Sequence, residues 1–307
     1  MRRLRILAIA LLSCFVCGCV EGELVYTLNP DGSGKVEMDL TSAPKVLSLE
    51  LNKDDPDEMA RKMLVNELTG PGSRGLSGWS NVRGEFTKDG RFRFRATAYF
   101  KRLEDVKGDM FDKLRLIRGA DGSLTLLPDK REQRPGTKKE PPPNFAKMTD
   151  AEWARFLLRQ RITGQAMKPL FTSFMADVKV KATFRMPGEV TAIKGFKPLG
   201  KDGAMFELDG NAVIKEFNRR LSHTDAELRK QYLEGKGPDF DEESGMESLL
   251  FGTPVSVTVA KPGAPVFDYA KAVAAAVAGN AELRKKYSIP EDQKLPGEAG
   301  FGKGPME

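Results

Sequence analysis

Apolar and polar residues alternate over several short runs of this chain. Leu24, Tyr26 and Leu28 alternate with Val25 and Thr27, and Val36, Met38 and Leu40 alternate with Lys35, Glu37 and Asp39. Between 91 and 99, Arg91, Arg93 and Arg95 alternate with Phe92, Phe94 and Ala96. A period of two belongs to a strand with one face in a core and one in water. The phenylalanines are expected inside and the arginines outside. Such an arginine row could bind an anion, and the solvated outer face of a sheet explains the same pattern.

The runs are punctuated by a repeated turn signal. Asp-Gly stands at 31–32, 89–90, 121–122 and 202–203, each time between strand-like segments. Glycine supplies the positive φ that tight hairpin turns require. Four such turns predict a hairpin-rich antiparallel sheet.

Helical spacing appears between the hairpins. Residues 56–68 place Met59, Met63, Leu64 and Leu68 near one stripe, with Asp55 as N-cap. Thr149 opens a helix carrying Trp153, Phe156, Leu157 and Ile162, with a break expected at Pro169 before 168–174 extends it. Thr224 caps a short helix over 225–232, and an alanine-rich helix is expected within 261–287. Hairpins mixed with helices define an α+β fold, a hairpin-rich antiparallel sheet with helices packed on one face. The expected division is an α+β domain over 19–260, the C-terminal helix at 261–287 and a disordered tail, rich in Gly, Pro and charge, at 288–307.

The first residues carry a different pattern. Arg2, Arg3 and Arg5 precede an apolar run of 13 residues from Ile6 to Gly18, followed by Cys19. A bilayer span needs roughly 20 apolar residues, so this run reads as a signal peptide over 1–18. Val16-Cys17-Gly18-Cys19 reads as a lipobox, with cleavage between Gly18 and Cys19 and lipidation of the Cys19 sulfur, then acylation of its freed amine. Each buried acyl CH₂ contributes about 0.8 kcal/mol, so two or three chains, palmitate among them, hold a folded domain at a membrane. The expected place is a bacterial cell envelope, on a membrane facing the periplasm or exterior. Val20, rather than aspartate, follows the cysteine and favours the outer membrane in a Gram-negative cell.

Composition narrows the chemistry. The cysteines are Cys14, Cys17 and Cys19, and the first two leave with the signal. The mature chain then expects no disulfide, no cysteine metal site and no thiol nucleophile. The single histidine, His223, cannot build a multi-histidine zinc site, and a Ser-His-Asp triad would rest on it alone. Its charged neighbours suit a helix end or surface loop. Of the formal charge of +6, Arg2, Arg3 and Arg5 account for three, leaving +3 on the mature chain. That excess is spread thinly, without the concentrated basic patch that nucleic acid requires. Neither metal nor cofactor is expected.

Two loops stand out. Residues 128–144 hold Lys130, Arg131, Arg134, Lys138 and Lys139 and end in three prolines, the composition of an extended linker. Asp239, Asp241 and Glu243 alternate as a calcium loop begins, but Ser244 and Leu250 occupy the positions that need glycine and glutamate. That segment is expected to be an acidic loop.

The run Tyr26-Thr27-Leu28-Asn29-Pro30-Asp31-Gly32-Ser33-Gly34, together with the strand at 178–186, Pro187-Gly188-Glu189-Val190 and Phe206-Glu207-Leu208, resembles the LppM-type lipoprotein domain over about 22–260. The resemblance implies a lipid-anchored, mostly antiparallel α+β domain with no catalytic residues to carry over. Some relatives look like surface or lipid-contacting proteins. Members often carry an apolar C-terminal span that this sequence lacks, leaving Cys19 as its visible anchor.

These readings converge on a lipid-anchored binding or structural module, with an envelope protein or lipid as partner and no catalytic mechanism evident. Two alternatives remain at this point: a carrier of an apolar or lipid ligand in a cavity between sheet and helices, and an envelope hydrolase working through carboxylates.

Overall fold

The computed structural model describes residues 20–42, 55–106, 114–128, 144–234 and 255–298. The fold is α+β. The chain divides into two compact units, one made of 1–129, 179–207 and 255–307, the other of 130–178 and 208–254. The second is thus assembled from two insertions into the first, where the sequence suggested one domain over 19–260.

The first unit begins with a hairpin of β1 (Val20–Leu28) and β2 (Gly34–Ser42). Helix α1 (Pro56–Thr69) follows, with Asp55 accepting from the Asp57 amide as its N-cap. A second hairpin joins β3 (Leu76–Phe86) to β4 (Phe92–Phe100), and a third joins β5 (Leu114–Arg118) to β6 (Leu124–Pro128). After the insertion come β7 (Lys179–Arg185), β8 (Val190–Lys194), β9 (Lys197–Leu199) and β10 (Gly203–Asp209).

Three of the Asp-Gly turns share one geometry. In each, the residue two before the Asp pairs with the residue after the Gly: the amides of Asn29, Thr87 and Gly119 donate to Ser33, Arg91 and Ser123 at 2.8 Å. Only the glycine takes positive φ: 89° at Gly32, 77° at Gly90 and 82° at Gly122. This is the three-residue loop closed by a glycine bulge, rather than a two-residue turn. At 202–203 the positive φ, 64°, falls instead on Gly200.

The strands form a seven-stranded sheet in the order β3-β4-β2-β1-β7-β10-β9. β1 and β7 pair in parallel, which joins two stretches of chain separated by about 150 residues. Tyr26, Phe94, Ala98, Phe100, Ala182 and Phe184 fill its apolar face. Leu64 and Leu68 of α1 cover part of it, and the Trp79 indole donates to the Leu68 carbonyl at 3.2 Å. Packing is tight there: a methyl group on Gly84 would lie 2.4 Å from Leu64 Cδ1 and 2.9 Å from Phe92 Cζ. A smaller antiparallel sheet, β5-β6-β11-β8, is completed by β11 (Ser256–Val259). Leu126 and Val257, paired across it, are fully buried.

The second unit holds α2 (Asp150–Met175), α3 (Gly210–Leu221) and α4 (Asp225–Leu233). Thr149 and Thr224 form full capping boxes with Glu152 and Glu227, as the sequence suggested for the caps. α2 runs on through Pro169 without the expected break. Pro169 and Gln165 are both exposed, so the carbonyl that proline leaves without a donor lies on the solvent side of the helix. α3 was not anticipated. Asp209 caps it, and Val213, Phe217 and Leu221 bury one stripe. The Phe217 and Phe171 rings lie 4.5 Å apart.

The C-terminal segment belongs to the first unit and differs from the single helix expected over 261–287. Pro262, Gly263 and Pro265 keep the chain out of a helix until α5 (Tyr269–Ala278). Gly279 then caps α5, and α6 (Asn280–Tyr287) follows. The expected disorder from 288 onward does not hold for residues 288–298. Leu295 is fully buried and Ile289 nearly so. The Arg284 guanidinium gathers this stretch, donating to the carbonyls of Pro290 and Gln293 at 2.8 Å and to both oxygens of Glu298. Gly and Pro content concealed two apolar anchors and one arginine.

Candidate functional site

The second face of the large sheet carries its chemistry. Register places Lys181, Glu23, Asp39 and Arg95 side by side on four successive strands, and Lys179, Glu21, Thr41, Arg93 and Glu85 on the next row. Opposite charges thus meet across strands, where side chains are close enough to interact. Arg93 grips Asp39 with two bonds, of 2.7 and 2.5 Å. Arg91 bridges Glu21 at 2.8 Å and Asp89 at 2.6 Å, Arg95 reaches Glu85 at 2.7 Å, and Lys181 meets Glu23 at 3.2 Å. The hydrogen bond from Arg93 is the main cause holding the Asp39 carboxyl below its ordinary range.

The arginine row is therefore one half of a charge lattice. Each guanidinium already has a carboxylate, so the row is a solvated, internally neutralised face rather than a ready anion site. Exposed pairs of this kind contribute about 0–1 kcal/mol each. Their main consequence is a surface that keeps to water in a fixed pattern.

Toward its other end this face becomes rich in hydroxyls and is partly roofed. Tyr99 Oη lies 3.1 Å from Ser80 Oγ, and Tyr269 Oη donates to Ser77 Oγ at 2.7 Å. Burial is the largest cause raising the Tyr269 phenol above its ordinary value. Beside them Asn81 adopts φ 56° at an irregularity in the β3–β4 ladder, with its amide 3.4 Å from Thr97 Oγ1. The Phe267 ring lies 6.4 Å from that of Tyr99, and Ala276 of α5 packs over Gly78.

Asn29 holds this roof in place. It sits in the first hairpin turn, almost fully buried. Its Oδ1 accepts from the amides of Val266 (2.9 Å) and Phe267 (3.4 Å). Its Nδ2 donates to the Phe267 carbonyl (3.2 Å) and to Ser33 Oγ (3.1 Å). One side chain thus uses both its groups to tie a segment 237 residues away to the turn. The sequence offered Asn29 only as a turn residue. Asn29→Ala leaves these buried groups without partners, at about 1–3 kcal/mol. Limited proteolysis should then cut first within 260–268, while wild type resists there.

The other residues singled out in the sequence fall as follows. Gly18 and Cys19 lie outside the described residues, as do 129–143 of the basic loop and Asp239, Asp241 and Glu243. His223 follows the C-terminal end of α3. Its Nε2 lies 2.9 Å from Arg219 Nη1 and its Nδ1 3.1 Å from the Gln231 amide. Neither nitrogen faces Ser222 or Asp225, and the Asp225 carboxylate is held by Arg161 at 2.7 Å. The residues of a triad are adjacent in sequence without forming one. On α3 itself, Glu216 is lowered to about 2, first by its hydrogen bond from Arg219 and then also by Arg220.

Aromatic rings organise the second unit. Phe145, Trp153, Phe156 and Tyr232 form one cluster, with the Trp153 and Phe145 rings stacked 5.5 Å apart. Arg229 lies 5.3 Å above Trp153 and also pairs with Asp150 at 2.8 Å.

These features define an α+β protein with a charge-paired, hydroxyl-bearing sheet face partly roofed by its own C-terminal segment. No family model and no curated protein matches the chain. Among solved structures, it is similar to the folded domain of the Mycobacterium tuberculosis LppM protein, determined by NMR. Identity is 14% and the TM-score 0.27, over 63% of this chain and 84% of that one. Among the described residues, no helix is long and apolar enough to cross a membrane.

Proposed function

We propose that the protein is a lipid-anchored module of the bacterial cell envelope that binds an envelope protein or lipid, or serves structurally, with Cys19 as its attachment. The observation that carries this reading is the run Val16-Cys17-Gly18-Cys19 behind Arg2, Arg3 and Arg5. A two-unit body with a water-facing charge lattice suits a domain displayed from a lipid.

One observation bears on the carrier alternative: Trp79, Phe94, Leu64 and Leu68 are buried between the large sheet and α1. Asp39, Glu207, Glu216 and Glu298 are each held below the ordinary carboxylate range, first by a bond from a basic side chain, which suits these four to charge pairing.

Cys19→Ala should abolish incorporation of a fatty-acid label and shift the protein from the membrane to the soluble fraction. Undiminished labelling would refute the anchor. Crosslinking in intact envelopes tests the binding half: a reproducible adduct through the second unit or the roofed sheet face is expected. Adducts no different from those of an unrelated lipoprotein would count against it.

A further inference from the structure

Helix α2 buries Trp153, Leu157, Gln160, Gly164, Phe171 and Met175 along one side. Its opposite side is unusual. Leu158 and Ile162, one turn apart, are 58% and 61% exposed. Ala154, Ala166 and Pro169 continue the exposed stripe in both directions, with the polar Gln165 among them. Leaving two large aliphatic side chains in water on one helix face forgoes the burial that such residues normally find.

The charges around the stripe are one-sided. The acidic residues of α2 are confined to its first turn, Asp150 and Glu152, the latter close enough to Arg155 to interact with it; from Trp153 to Met175 there is none, in a chain with 43 acidic residues. The same stretch has Arg155, Arg159, Arg161 and Lys168. Arg161 is tied to Asp225. On a helical wheel Arg155 falls within the stripe beside Ile162, Arg159 borders it on one flank and Lys168 lies on the other. An apolar stripe with basic neighbours, and acidic residues only in the first turn, is complementary to a surface that is apolar beneath and anionic above, as in the headgroup region of a bilayer.

We propose that the exposed face of α2 docks onto anionic lipid, with Leu158 and Ile162 entering the interface and Arg155, Arg159 and Lys168 meeting headgroups. The proposal builds on the reading of a lipid-tethered protein, since a tether raises the local concentration of membrane. It specifies lipid, rather than another protein, as the partner of this face. The interaction is reversible: two aliphatic side chains and the basic residues around them bind weakly on their own, measurably at high lipid concentration, and a second attachment strengthens it.

The test uses residues 19–307 carrying Cys19→Ser, so that no acyl chain contributes. The probes are vesicles of equal parts phosphatidylglycerol and phosphatidylethanolamine, and vesicles of phosphatidylcholine. Sedimentation should show partition to the anionic vesicles, weakened by raised salt, and far less to the neutral ones. Leu158→Ser with Ile162→Ser should cut the anionic partition about tenfold. Arg155→Gln with Arg159→Gln should erase most of the preference for anionic lipid. All four side chains are exposed, so circular dichroism melts should stay at wild type and report any variant that fails to fold. Equal partition to both vesicle types, no partition at all, or an unchanged double-serine variant would overturn the proposal. So would a protein partner captured through Leu158 and Ile162 in the absence of vesicle binding. Because the protein tested has no lipid, failure here leaves the Cys19 anchor standing, and failure of labelling at Cys19 leaves this result standing.

Discussion

Phe184→Ala should destabilise the first unit by about 3–5 kcal/mol, the cost of emptying a buried aromatic site. Phe184 is fully buried on β7. Its ring stacks on Tyr26 of β1 with centroids 4.8 Å apart and meets Phe196 edge-on at 5.5 Å. The Tyr26 contact lies across the parallel β1–β7 ladder, in which Tyr26 and Phe184 are direct partners. The loss therefore weakens the junction where the chain returns to its first strand. The two tryptophans permit a direct reading, since Trp79 is buried in the first unit and Trp153 in the second. In a Trp153→Phe background, urea unfolding followed by Trp79 fluorescence should show the midpoint falling sharply. A shift worth less than about 1 kcal/mol would mean that the stack contributes little beyond an exposed contact.

Gly75→Ala should cost about 3 kcal/mol, while Gly72→Ala, three residues earlier, should be nearly neutral. Gly75 has φ 82°, and a Cβ there would lie 1.8 Å from the Asp105 carbonyl oxygen. The obstacle is backbone, so no side chain can turn aside to relieve it. Moving it would displace the short helical turn Leu103–Asp105, whose Leu103 is almost fully buried. Gly72 has ordinary φ and nothing within 4 Å of the same position. Thermal melts of the two variants, again read through Trp79, should separate them clearly. Equal melting points would show that the chain near 75 can shift freely.

Where local pattern and local structure coincide, the sequence was legible. Alternation located β1, β2 and β4, because one face of each is buried and the other wet. Asp55, Thr149 and Thr224 marked helix starts, because capping is a contact within three residues. Asp-Gly at 31–32, 89–90 and 121–122 marked three turns, because the bulge needs glycine at one position.

Other features depend on partners far along the chain. β8 and β9 are exposed over most of their length, so neither shows a period of two. The parallel pairing of β1 with β7, the second sheet and the interleaving of two units have no local signature. The same holds for the charged face. The arginines were visible, but Asp39 lies 54 residues before Arg93 and Glu21 lies 70 before Arg91. A row that suggested an anion site is half of a matched set. Asn29 looked like a turn residue and is a clamp, since its partners come from the far end of the chain. On α2, Ile162 was placed with the buried stripe. It stands on the exposed side, because the stripe follows Trp153, Leu157, Gln160 and Gly164.

Cys19 is the proposed point of attachment, and one measurement tests it without mutation. The protein is purified from the membranes of the cells that make it and its N-terminal peptide is weighed. The expected peptide begins at Cys19, carries a diacylglyceryl group on sulfur, and has an acylated amine where the organism adds one. A mature N-terminus at any other residue, or an unmodified Cys19 in membrane-derived protein, would contradict the account.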